Sequence, residues 1–189
     1  MLKGRKVGRE TFEQVFSSVG PFYANVDYTQ TRVLSFVDEA DEKHDGKIIQ
    51  RVNRKFPQGT KTVAVRFVRP WQREMSLGQA LVLGMDYGYM PATEHETSVS
   101  LREATPGQIK ELFYQAQSAI RARGLARTAT SVSIPCTASA VAGETGELIP
   151  FLEVFEVCGC SRLCRLHLQK PNFDASIPPA QSIALVSVN

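Results

Sequence analysis

Residues 62–69 read TVAVRFVR, and this stretch decides the fold class. Val63, Val65 and Phe67 fall on one face of an extended chain, and β-branched residues dominate it. Upstream, KIIQRVNRKF (47–56) alternates as well. Ile48, Val52 and Phe56 point one way and Lys47, Arg51 and Lys55 the other, with Ile49 interrupting the basic face. FPQGTK (56–61) is a loop, so the two strands are expected to form a hairpin with a basic outer surface.

The same pattern recurs outward from this hairpin. YANVDYTQTRVLSFV (23–37) favours strand, and DEADEKHDGK (38–47) reads as a solvated turn with Asp45-Gly46 at its tight point. Gln79 to Met90 is expected as a strand, with Leu81, Leu83, Met85, Tyr87 and Tyr89 on one face and Pro91 ending it. TSVSL (97–101) reads as a short strand after the polar ATEHE turn. ATSVSIPC, ELIPFLEVFEVC, SRLCRLHL and SIALVSV complete the set.

Two segments read as helix. Phe12, Val15, Phe16 and Val19 have helical spacing behind a Thr11/Gln14 capping box, with Gly20-Pro21 as a stop. Thr105 caps a longer helix, with Pro106 at its first position and Gln108 completing the box. Its stripe is Ile109, Leu112, Phe113, Ala116 and Ile120; Arg121 and Arg123 suit the last turn, and Gly124 ends it. Strands separated by turns, not helices, imply a mainly β, antiparallel sandwich or jelly-roll-like fold. The expected organisation is a basic arm and short helix over residues 1–20, then a single β-rich domain over 21–189.

A chain of 189 residues buries enough surface to fold without a metal or disulfides. No run reaches the ~18 apolar residues of a membrane span. MLKGRKVGRETF lacks the apolar stretch of a secretory signal, so the four cysteines are expected to be reduced thiols in an intracellular setting.

Charge is the most informative feature. From Gly46 to Arg73 the chain carries eight cations and no Asp or Glu: Lys47, Arg51, Arg54, Lys55, Lys61, Arg66, Arg69 and Arg73. The whole chain is only +3, so the rest is −5. Such an array suits a phosphate backbone, which binds cations through counterion release. Phe56, Phe67 and Trp71 lie nearby for stacking on single strands. The bland alternative is a solvated hairpin that balances the acidic turn before it.

Other chemistry is thinly supported. Cys158, Cys160, Cys164 and His167 could fill a tetrahedral zinc site, but the spacing departs from the paired pattern of structural zinc. On a strand Cys164 and His167 face opposite sides; only a helix beginning near Cys160 would bring them together. They are read as packing residues, with no metal and no cofactor expected. Cys136, after Pro135, sits where a nucleophile could stand, yet a buried thiol is the commoner outcome. Neither a G-x-S-x-G elbow nor a phosphate-cradling glycine loop appears, and no catalytic residue is assigned.

The order QALVLGMDYGYMP, TSVSLREA, amphipathic helix and SVSIPCTAS, over residues 78–138, resembles the central region of plant-virus cell-to-cell movement proteins. Glu103 stands where that family carries a characteristic aspartate. The resemblance implies a jelly-roll-like core and non-enzymatic, sequence-independent binding of single-stranded nucleic acid, RNA foremost. It also implies a role in passing a viral genome through plasmodesmata, in the host cytoplasm and at cell junctions, with self-association and peripheral membrane contact compatible. The alternative is a viral structural protein, capsid or matrix, with a basic genome- or membrane-facing surface.

Overall fold

A computed structural model describes residues 10–29, 48–50, 58–71, 74–143, 146–157 and 161–187. The protein is mainly β, built on two antiparallel sheets. In chain order the elements are α1 (Phe12–Val15), β1 (Phe16–Asp27), β2 (Ile48–Gln50), β3 (Thr60–Pro70), α2 (Leu77–Asp86), β4 (Tyr89–Pro91), α3 (Glu94–Glu103), α4 (Pro106–Ala122), β5 (Ser131–Pro135), β6 (Ser139–Gly143), β7 (Gly146–Val157), β8 (Ser161–Gln169) and β9 (Ile183–Ser187).

The strand read from TVAVRFVR is β3, at the centre of the first sheet. That sheet runs β1-β3-β9-β4. Val65 and Phe67 turn inward and are fully buried. Phe22 on β1 meets Phe67 edge-on at 4.9 Å between ring centres. The second sheet runs β2-β6-β7-β5, with β8 on the remaining side of β7. Its Val132, Ile134, Leu152 and Val154 share a core with Phe22, Val65 and Phe67 and with Leu112 and Ala116 of α4. Burying this apolar surface from both sheets and α4 is the main favourable contribution to folding.

Two buried polar side chains tie the sheets together. The Arg69 guanidinium donates to the backbone carbonyls of Pro178, Pro179 and Gln181, just before β9. Those residues bridge to β5, where Ser133 N–H donates to the Ala180 carbonyl at 2.9 Å. Gln115 on α4 donates to the Ser17 carbonyl at 2.9 Å and accepts from Ser182 Oγ at 3.1 Å.

Several expectations are corrected. Ile48–Gln50 do not pair with TVAVRFVR: β2 pairs with β6 in the second sheet, and β3 pairs with β1 and β9; the rest of KIIQRVNRKF lies outside the described residues. The nearest-neighbour hairpin assumed from sequence order gives way to partners far along the chain. Residues 79–86 are helix, not strand. Ser76 caps α2, accepting from Gln79 N–H at 3.2 Å, and the apolar residues that matter are Leu77, Ala80, Leu81 and Gly84, at helical spacing. TSVSL is the body of α3, where Thr97, Ser98 and Ser100 are buried and their hydroxyls donate to carbonyls of the preceding turn.

The first helix is shorter than its apolar spacing suggests. Thr11 N–H does bond Gln14 Oε1 at 2.7 Å, but the chain turns to strand at Phe16. It then passes through Gly20-Pro21 without stopping. Phe12, Val15 and Phe16 pack in one cluster with Val68, Leu81 and Leu185, so no packing boundary falls at residue 20.

Other expectations stand as read. Helix α4 is capped by Thr105, whose Oγ1 accepts from Gln108 N–H at 3.3 Å, and is followed by Gly124, in left-handed conformation with φ +69°. Strand β1 ends at Asp27 and Tyr28 and Thr29 turn; residues 30–47, which hold the rest of YANVDYTQTRVLSFV and the DEADEKHDGK turn, lie outside the described residues. Among the described residues, no helix is long and apolar enough to cross a membrane.

Candidate nucleic-acid interface

The eight cations divide sharply. Lys47, Arg51, Arg54, Lys55 and Arg73 lie outside the described residues. Lys61, Arg66 and Arg69 all stand on β3 but are not equivalent. Lys61 is exposed at the strand's start. Arg66 is half-buried, five residues on and therefore on the opposite face. Arg69 is only 4 % exposed and is consumed by three backbone carbonyls. Burial first, and the Arg123 charge second, lower its pKa to about 10, so it stays cationic at neutral pH. Three carbonyl acceptors compensate the buried charge, and the remaining Nε–H is buried without a partner, so Arg69 is not placed to meet a phosphate at the surface.

The proposed aromatic partners also separate. Phe67 is fully buried in the core, and Phe56 lies outside the described residues. Trp71 is 63 % exposed at the end of β3. A residue that the sequence reading left unassigned completes the picture: Tyr23 on β1 is 66 % exposed. Its signal was parity. In FYANV, Phe22, Ala24 and Val26 are buried while Tyr23 and Asn25 face out.

Register assembles the outer face. Tyr23 pairs with Ala64, and Asn25 with Thr62. Thr62 Oγ1 donates to Asn25 Oδ1 at 2.7 Å, and Arg66 Nη1 reaches the Gly20 carbonyl at 3.5 Å. Arg66 is two residues beyond Ala64 on the same face, so it is a diagonal neighbour of Tyr23, beside the register shift between Val19 and Phe22. The result is an open patch of sheet carrying a phenol ring, a guanidinium and small polar groups. A base can stack on such a ring while the guanidinium meets the neighbouring phosphate. Further along β9, the same sheet surface is covered by α2, where Leu185 packs against Gly84.

A second polar cluster surrounds the start of α3. Glu96, fully buried, accepts from Thr93 N–H at 2.8 Å and from Tyr28 Oη at 2.6 Å. Glu94 N–H donates to Ser139 Oγ at 2.9 Å. Thr97 and Ser100 hydroxyls donate back to the Thr93 and Glu96 carbonyls. Cys136 sits here, fully buried; desolvation, then the Glu94 charge, push its thiol pKa well up. A thiol held neutral in this way is a poor nucleophile. These hydrogen bonds run within the cluster and to the helix end, which fits a structural role.

The cysteine segment is strand on both sides of residues 158–160, which lie outside the described residues. Cys164 stands in register with Val154, and His167 with Phe151. No helix starts near Cys160 to align them. The His167 ring instead stacks on Phe151 at 5.5 Å. Among the described residues, no group of three or more His, Cys, Asp or Glu side chains is placed to hold a metal ion.

In comparisons with known proteins, no family model, no curated protein and no solved structure matched this chain. Of the element order that carried the resemblance to movement proteins, α4 and β5 occur as expected, whereas the two preceding strands are α2 and α3.

Proposed function

We propose that the protein binds single-stranded nucleic acid, without catalysis, on the outer face of β1 and β3. The observation that carries this reading is the exposed Tyr23 ring diagonal to Arg66 on an otherwise polar sheet face. The acid-free stretch from Gly46 to Arg73, of which β3 is part, supports the reading from the sequence side. A role in moving a viral genome between host cells, at cytoplasmic junctions, rests on the central-segment resemblance. So does reading the two sheets as a jelly-roll-like core.

Fluorescence anisotropy with labelled single-stranded RNA over a salt series tests the reading. Removing the Tyr23 ring (Tyr23→Ala) should weaken binding by about 5- to 150-fold, equivalent to ~1–3 kcal/mol for one stacked base. Neutralising Arg66 (Arg66→Gln) should reduce the salt slope by about 0.7. Affinity that ignores both substitutions, or that does not fall with salt, overturns the proposal.

A further inference from the structure

A cleft of about 520 Å³ runs along α2. Met75, Val82 and Leu83 give it an apolar floor, with Glu74 and Asp86 among its lining residues. Among the described residues, no Lys, Arg or His lines it. Glu74 is held at 3.5 Å by Arg123 but remains 72 % exposed, and Asp86 is exposed. Helix α2 has no basic residue in its last turn. The carbonyl end of the helix therefore adds to the negative potential beside Asp86. Val82 is 56 % exposed and Met85 40 %, unusual for bulky apolar side chains on one short helix. The site calls for a segment that is both cationic and partly apolar.

The chain carries such a segment at the right place. Residues 1–9, MLKGRKVGR, hold Lys3, Arg5, Lys6 and Arg9, no acid, and the apolar Leu2 and Val7. The next residue is anchored at the same end of α2: the Glu10 carbonyl accepts from Tyr87 Oη at 2.6 Å. Phe12 then packs against Tyr87 and Tyr89, at 5.7 and 4.6 Å between ring centres. Tyr87 directly follows Asp86. Nine residues can span up to about 30 Å when extended, and a ten-residue helix is only about 15 Å long. Reach is not limiting.

We propose that residues 1–9 dock in cis along the α2 cleft, with their cations against Asp86 and Glu74 and their apolar residues against Val82 and Leu83. The tether at Glu10 raises the effective concentration of the arm at this cleft over that of any free peptide. Charge complementarity supplies direction, and the exposed apolar residues supply area to bury. The arm is then engaged with its own chain, not held out for a partner.

Carbodiimide cross-linking of the full chain, read by peptide mass spectrometry, tests this without nucleic acid. An equal mixture of ¹⁴N- and ¹⁵N-labelled protein separates links within one chain from links between chains. The expected product is an amide between Lys3 or Lys6 and Asp86 or Glu74, within one isotope, and lost in high salt. The double variant Asp86→Asn, Glu74→Gln changes exposed carboxylates and should fold normally while removing these links. Absence of the links overturns the proposal. So does an even spread of Lys3 and Lys6 over other surface carboxylates such as Glu13 and Glu111. Links of mixed isotope would assign the cleft to a second copy instead.

Discussion

Glu103 Oε2 accepts the backbone N–H of Asn25 at 3.1 Å, and through this bond a helix end closes the open edge of a sheet. β1 is the outer strand of its sheet, so its outward amides and carbonyls would otherwise be unpaired. α3 lies along that edge. At the helix's other end His95 Nε2 sits 3.1 Å from the Asp27 carbonyl, to which it can only donate. Tyr28 adds its hydroxyl to Glu96. A helix that looked like a polar strand in the sequence is thus a cover for a strand edge.

Removing that bond with Glu103→Ala should cost about 1 kcal/mol, reduced from the range for charged acceptors because Glu103 is exposed. The specific readout is amide hydrogen exchange: Asn25 N–H should lose protection, while Val65 and Phe67 in the central strand keep theirs. Glu103→Asp should behave like the alanine variant at Asn25, because the shorter side chain falls short of the amide.

The helices explain how far the sequence could be read. All of them follow a Ser or Thr whose third successor is Gln or Glu: Thr11/Gln14, Ser76/Gln79, Thr93/Glu96 and Thr105/Gln108. Where an amphipathic stripe accompanied the box, as in α4, the helix was legible. In α2 the run Ala80 to Met85 is apolar nearly throughout, so alternation and helical spacing fit equally well. In α3 Val99 and Leu101 are buried among Glu, Thr and Ser, and two apolar residues set no helical periodicity. The capping boxes were the deciding signal in both. Strand pairing was less accessible still, because β2 pairs with β6 almost a hundred residues away, and nothing local encodes that choice.

Gly20 is where β1 can least tolerate a side chain. Its φ is +109°, and a Cβ there would lie 3.0 Å from both Phe22 N and the Val65 carbonyl. Both neighbours are backbone within the sheet, so neither yields cheaply. Gly20→Ala should destabilise the fold by roughly 2 kcal/mol or more. That corresponds to a fall in Tm of about 4–8 °C for a domain of this size.

Cys136 should resist alkylation in the native protein. Its folded pKa lies well above its ordinary value, so raising the pH from 7 to 9 should not speed labelling at this thiol. On unfolding, labelling should become fast and rise with pH. The linkage sign follows. Below the unfolded pKa the thiol is protonated in both states and stability is unaffected. Above it the unfolded chain loses a proton that the folded chain keeps, and this site lowers stability by up to about 1.4 kcal/mol per pH unit. Cys136→Ala should flatten that part of the profile, measured by denaturant unfolding between pH 8 and 10.

Arg66 and Arg69, three residues apart on one strand, should separate binding from folding. Arg69 satisfies three backbone carbonyls from inside the protein. Its replacement, Arg69→Gln, strands at least two of them, and should lower stability by about 3 kcal/mol or more. RNA affinity per folded molecule, and its salt slope, should not change. Arg66 touches one carbonyl at 3.5 Å and borders the open face beside Tyr23. Arg66→Gln should leave the melting temperature within about 2 °C, yet flatten the salt dependence of RNA binding by close to one counterion's worth. Parallel melting and anisotropy measurements on the two variants read both effects. If Arg69→Gln flattened the salt slope instead, the nucleic-acid surface would have to include the buried side of β3, and the outer face would lose its claim.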